Sequence, residues 1–120
     1  LHVAALHGHV DIVRVLLDHM ADFSVKDKDG SSPLQWCALH GHLPAALLLL
    51  ERGADVSLED NDGKTPLHAA VIMGHVDMVR LLIDKGAHPS SKDNSGMTSL
   101  HIAASYGRHE MALLLLHKGA

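Results

Sequence analysis

One phrase returns every 33 residues. Leu1, Leu34, Leu67 and Leu100 share one position of this register, and Gly8, Gly41, Gly74 and Gly107 share another. Leu16, Leu49, Leu82 and Leu115 form a third column, and Ala21, Ala54, Ala87 and Ala120 a fourth. No insertion breaks the count. A fixed period of roughly 20–50 residues marks an array of stacked units in place of one globular core. Such an array offers an extended surface shared by neighbouring units and implies no enclosed catalytic pocket.

Composition narrows the function classes. The chain is 47% hydrophobic but only 2% aromatic, so its apolar mass is Leu, Val, Ile, Ala and Met, which suits small helices packed closely. The formal charge is −4 with acids and bases interspersed. The absence of a basic patch with interleaved aromatics argues against nucleic acid as a partner. The one cysteine, Cys37, has no internal disulfide partner, which favours a reducing intracellular setting, cytoplasmic or nuclear. The longest apolar runs, such as Ala45 to Leu50, fall far short of a membrane span, so no membrane insertion is expected. No segment reads as a signal peptide.

The third copy is the clearest. Asn61-Asp62-Gly63 is a turn signal. Thr65 is a good N-cap, and Pro66 fits the first helical position, where its missing N–H is harmless. The pattern predicts a short helix from about Pro66 to Met73, stopped by Gly74, and a second from about Val76 to Asp84, stopped by Gly86. Asp77 and Lys85 stand at the dipole-favoured ends of that second helix. Helices of about two turns do not persist alone in water, so packing must hold them. In the second copy Leu34, Cys37, Ala38 and Gly41 follow i, i+3, i+4, i+7 spacing and give the first helix a small apolar face. Second helices carry wider stripes, such as Met78, Val79, Leu81, Leu82 and Ile83, which need neighbours on both sides.

Gly63-Lys64-Thr65-Pro66-Leu67-His68-Ala69-Ala70, Gly74-His75-Val76, Leu81-Leu82 and Lys85-Gly86-Ala87 closely resemble the ankyrin repeat, and the resemblance spans the whole chain. It implies an all-α solenoid of helix-turn-helix units with projecting hairpin loops, the concave side formed by hairpins and first helices. The copies divide the chain into a partial repeat at 1–26, repeats at 27–59 and 60–92, and a partial repeat at 93–120. Terminal repeats of a complete array carry polar capping faces. The run Leu113 to Leu116 has none, so the chain reads as a segment of a longer array.

Departures from the pattern are specific. The Thr-Pro-Leu-His string is complete only at Thr65 to His68. It reads Ser32-Pro33-Leu34-Gln35 in the second copy and Thr98-Ser99-Leu100-His101 in the fourth. The family pattern implies a hydroxyl–imidazole hydrogen bond there, which Gln35 keeps in part. Met20 stands where Gly53, Gly86 and Gly119 stand elsewhere, which predicts a strained cap or an altered helix end. If His68 and His101 are both buried and neutral, acid destabilises the fold.

Twelve histidines invite a metal site, and His7-Gly8-His9 and His40-Gly41-His42 draw the eye. Yet His2, His68 and His101 share one repeat column, and His9, His42 and His75 another. That makes them scaffold, and no metal is expected. Cys37 lies in the column of Ala4, Ala70 and Ala103, a packing position. Trp36 lies in the column of Val3, Ala69 and Ile102 and is expected in the core. No catalytic constellation, phosphate loop or cofactor site is found, so no enzyme activity is expected.

The columns that vary should carry the function. At the ends of first helices these are Leu6, Leu39, Ile72 and Ser105, then His7, His40, Met73 and Tyr106. At the hairpin tips they are Lys28, Asn61 and Asn94; Asp29, Asp62 and Ser95; and Ser31, Lys64 and Met97. With the family geometry these residues line the concave groove, an apolar strip with a mixed-charge rim, as in protein interfaces. The expectation is a monomer that binds a protein partner. The rival readings are a structural or spacer segment of a large scaffold or channel, and the substrate-recruiting region of a multidomain enzyme.

Overall fold

The computed structural model describes residues 1–119, so Ala120, the last member of the Ala21 column, lies outside the described residues. The chain runs through α1 (His2–His7), α2 (Val10–Asp18), α3 (Pro33–His40), α4 (Leu43–Glu51), α5 (Pro66–Met73), α6 (Val76–Asp84), α7 (Ser99–Ser105) and α8 (His109–His117). Both helices anticipated in the third copy fall where its caps placed them. No strand occurs among the described residues.

The helices pair as α1 with α2, α3 with α4, α5 with α6 and α7 with α8. First helices then stack in the order α1, α3, α5, α7, and second helices in the order α2, α4, α6. The result is a two-layered array of 40 × 25 × 21 Å.

Local chemistry starts each first helix. The Thr65 hydroxyl accepts the His68 N–H at 3.4 Å, and His68 Nδ1 accepts the Thr65 N–H at 3.1 Å. This reciprocal box satisfies two donors that a helix start leaves orphaned. Thr98 and His101 repeat it around α7. Ser32 caps α3 alone, accepting the Gln35 N–H at 3.3 Å, because the Gln35 amide is turned towards the next unit. Pro33 and Pro66 take first helical positions, and Pro44 falls within the first two of α4.

One core runs the length of the stack. Ala4, Cys37, Ala70 and Ala103 are buried in one column, and Leu34, Leu67, Leu49, Leu82 and Leu115 fill the space between layers. Each such leucine contributes about 1.5–3 kcal/mol of hydrophobic transfer. Small residues where first helices meet let their backbones approach, and leucines fill the wider gap to the second layer.

One sequence expectation is realised here and two need adjustment. Met20 does adopt a left-handed backbone, at φ 63, and its side chain is 90% exposed, so of the two outcomes foreseen for this cap the strained one is realised. Of the two histidines whose joint burial is the condition for acid sensitivity, His68 is fully buried and His101 is exposed, because no described unit covers the outer face of α7. Trp36 is half-buried, packed against the core without being enclosed in it. At the same end of the stack as His101, Leu113 and Leu116 are 55% and 54% exposed.

Candidate partner-binding face

Hydrogen bonds that cross from unit to unit fix the backbone beneath most of the candidate side chains. His42 Nε2 donates to the Leu6 carbonyl at 2.8 Å, and His75 Nε2 to the Leu39 carbonyl at 3.1 Å. In the next copy Arg108 takes over, donating from Nη2 to the Ile72 carbonyl at 2.9 Å. These carbonyls belong to the last turns of first helices, so each staple fixes the very segment that carries a candidate binding pair. The glycine column is tied to the same device. A Cβ on Gly41 would lie 2.8 Å from His75 Nδ1, and the φ of 72 at Gly41 already disfavours any side chain. Arg108 shares this role through its column alone, although its residue type hides it.

A second ladder holds the hairpins. Nε2 of His2 donates to the Ser31 carbonyl at 2.9 Å, Gln35 to the Lys64 carbonyl at 3.4 Å, and His68 to the Met97 carbonyl at 3.1 Å. Asn61 and Asn94 zip the tips together, their side-chain amides reaching the Lys28 and Asn61 carbonyls at 3.1 and 3.0 Å. Within each turn an aspartate accepts two backbone N–H groups, as Asp93 does from Ser95 and Met97 at 2.8 and 2.9 Å. The Met97 N–H, with help from the Ser95 N–H and Lys64, holds the Asp93 carboxyl below the usual carboxylate range. Burial acts to raise Asp27, but the Ser31 N–H, the Trp36 ring N–H and the Asp29 N–H outweigh it, and Asp27 too is lowered.

This frame sorts the candidate residues. Lys28, Asp29, Asn61, Asp62, Asn94 and Ser95 are exposed at the tips, although the two asparagines also hold the zip. Ser31, Lys64 and Met97 do not stand clear. They are half-buried because their backbone is stapled to the preceding unit, Met97 packs on the core, and Lys64 Nζ lies 3.8 Å from Asp93. At the helix ends, Leu6, Leu39 and Ile72 are half-buried, while His7, His40 and Ser105 are exposed. Met73 and Tyr106 are 46% and 55% exposed.

Trp36 joins this face. Its ring N–H donates to Asp27 Oδ2 at 2.8 Å, and its plane lies within 2° of the His40 ring, with centroids 5.7 Å apart. That separation at near-zero tilt is an offset stack, a preferred aromatic arrangement. Burial, then the neighbouring His42, His75 and His7, pushes the His40 imidazole below its ordinary pKa. The signal missed in the sequence is one of volume. Ala69 fills this column in the next copy, so an indole in the same slot must emerge.

The remaining chemistry is sparse. Cys37 is buried, its Sγ 3.8 Å from the Ala5 carbonyl, and burial pushes its thiol up to about 12. It is no nucleophile at neutral pH. Among the described residues, no three His, Cys, Asp or Glu side chains converge as a metal-ligand set. No helix among them is long and apolar enough to cross a membrane.

No curated protein matches the chain. A family description for ankyrin repeats (3 copies) matches residues 1–60 and 53–120. Ankyrin repeats are generally protein–protein interaction modules and typically non-catalytic. With the matched segments covering every unit of the stack, the chain belongs to the ankyrin-repeat family.

Proposed function

We propose that this chain holds a protein partner along the face made by its first-helix ends and hairpin tips. The supporting observation is the row of Leu6, Leu39 and Ile72, half-buried, beside the exposed Met73 and Tyr106. Singly, exposed apolar residues mean little; contiguous ones at a fixed repeat position mark a contact strip. The strip is preorganised, because its backbone carbonyls are stapled to the following unit. Preorganisation lowers the ordering cost of association. Lys28, Asp29 and Asp62 supply a polar rim, with Ser95 continuing it. Recognition is by shape and side-chain complementarity, without a reaction. The partial repeats 1–26 and 93–120 flank the two whole ones, and the chain works as a monomer inside the cell.

The test is a comparison of the parent with an Ile72→Ala, Met73→Ala, Tyr106→Ala triple variant as baits in cell extract. Captured proteins should be lost from the variant while its circular dichroism stays that of the parent. Retention of every captured protein by a folded variant would overturn the reading and favour a spacer role.

A further inference from the structure

Resting on that reading of the face, we infer that the Trp36–His40 stack seats one arginine side chain of the partner polypeptide. Trp36 is the only tryptophan in the chain, and its column elsewhere holds Val3, Ala69 and Ile102. The indole is held from two sides, by Asp27 through its ring N–H and by the parallel His40 ring stacked on it with an offset. A partly exposed ring already locked in place loses little freedom on binding, which is the character of an interface anchor. Asp27 also orients the indole edge, so a ligand would use the part of the ring that the offset His40 leaves uncovered.

Charge selects the ligand. The four first helices contain no Asp, Glu, Lys or Arg, so the field over the ring is set by the hairpins. Asp27 and the exposed Asp29 belong to the Trp36 unit's own hairpin, and the next one brings Glu59, Asp60 and Asp62. Those five carboxylates face three lysines: Lys64 lies 3.8 Å from Asp93, Lys26 donates to the Glu59 carbonyl at 2.6 Å and Lys28 stands at the tip, so negative charge is in excess. His40 is held below its ordinary pKa, so at neutral pH it extends the aromatic platform without repelling a cation. A guanidinium stacks flat on such a platform, and its donors would turn to the exposed Asp29 of the same unit's hairpin. Its aliphatic stem would lie along Val3, 69% exposed and one unit back in the Trp36 column.

The test is selection of a random peptide library on the whole chain, followed by titration with single peptides. Since Trp36 is the sole tryptophan, its emission reports directly on the stack. Selected peptides should contain one arginine whose replacement by citrulline, which removes the charge but keeps the shape, weakens binding about fivefold. That loss should vanish in Trp36→Ile, a substitution chosen because Ile102 already occupies the same column in the fourth copy. If Trp36→Ile fails to fold, the parent still decides, because arginine peptides must shift Trp36 emission saturably and citrulline peptides far less. Indifference to citrulline, or an equal loss in parent and Trp36→Ile, overturns the arginine seat while leaving the face intact. Peptides that ignore both Trp36→Ile and Met73→Ala with Tyr106→Ala overturn the face and the seat together, as does failure to enrich any peptide.

Discussion

The third and fourth units begin with phrases that differ only at Pro66 and Ser99, and they live in different surroundings. Thr65-Pro66-Leu67-His68 and Thr98-Ser99-Leu100-His101 fold into the same reciprocal cap, with Nδ1 accepting from the threonine N–H at 3.1 and 3.2 Å. Yet His68 is completely buried, and its Nε2 donates onward to the Met97 carbonyl at 3.1 Å, while His101 is exposed. Gly74 has the Arg108 guanidinium 3.0 Å from where its Cβ would be, and Gly107 has nothing within 4 Å. Local conformation is therefore written inside each unit, and burial is conferred by the unit that follows. Stability in such an array is a sum of weak units and strong interfaces.

The largest test of that division is a pair of truncations. Leu67 is 1% exposed and Leu100 is half-buried. Leu67→Ala should cost about 3 kcal/mol by denaturant titration and Leu100→Ala about 1 kcal/mol, since a cavity term arises only where neighbours enclose the site. Equal losses would break the comparison. A smaller, sharper test uses the histidines. His68→Ala strands the buried Thr65 N–H and removes the bond to the Met97 carbonyl, which keeps the Asp93 N–H at 2.9 Å, an expected loss of about 2 kcal/mol. His101→Ala removes a solvent-exposed cap partner only, an expected loss of about 1 kcal/mol. A His101→Ala loss as large as that of His68→Ala would mean the cap, and not the unit interface, sets the stability.

The same division explains what the sequence disclosed. The helices of the third copy were legible to the residue because their limits are set by Thr65, Pro66, Gly74 and Gly86, all local signals. The staple histidines His42 and His75 were legible as a repeated column. What they bond to was not, because the Leu6 and Leu39 carbonyls lie 36 positions away in the preceding unit. Among the candidate binding residues, repetition located the variable columns but not their exposure. Ser31, Lys64 and Met97 look like tip residues until the ladder to His2, Gln35 and His68 is seen. Trp36 failed for the opposite reason: column membership implied burial, while its volume and the reach to Asp27 carried it outward.

The smallest effect inverts the comparison, with surroundings alike and the residue changed. Met20 and Gly53 close equivalent helix ends, with Met20 N–H reaching the Leu17 carbonyl at 2.9 Å and Gly53 N–H the Leu50 carbonyl at 3.1 Å. The next residue also bonds back in both, Ala21 to Leu16 at 2.9 Å and Ala54 to Leu49 at 3.0 Å. That pair of bonds holds position 20 left-handed at φ 63 although it carries a side chain. A Cβ in that region costs about 1–2 kcal/mol. Glycine would remove this cost but lose about 0.5–1 kcal/mol through its greater freedom in the unfolded chain. Met20 is 90% exposed, so its side chain contributes no packing to lose. Met20→Gly should therefore stabilise by about 0.5 kcal/mol, a rise of a few degrees in Tm. The reverse change, Gly53→Met, should lower Tm by a similar amount. A Met20→Gly protein that melts at or below the parent would show that the hydrogen-bond frame, and not the residue within it, carries the helix end at no cost in strain.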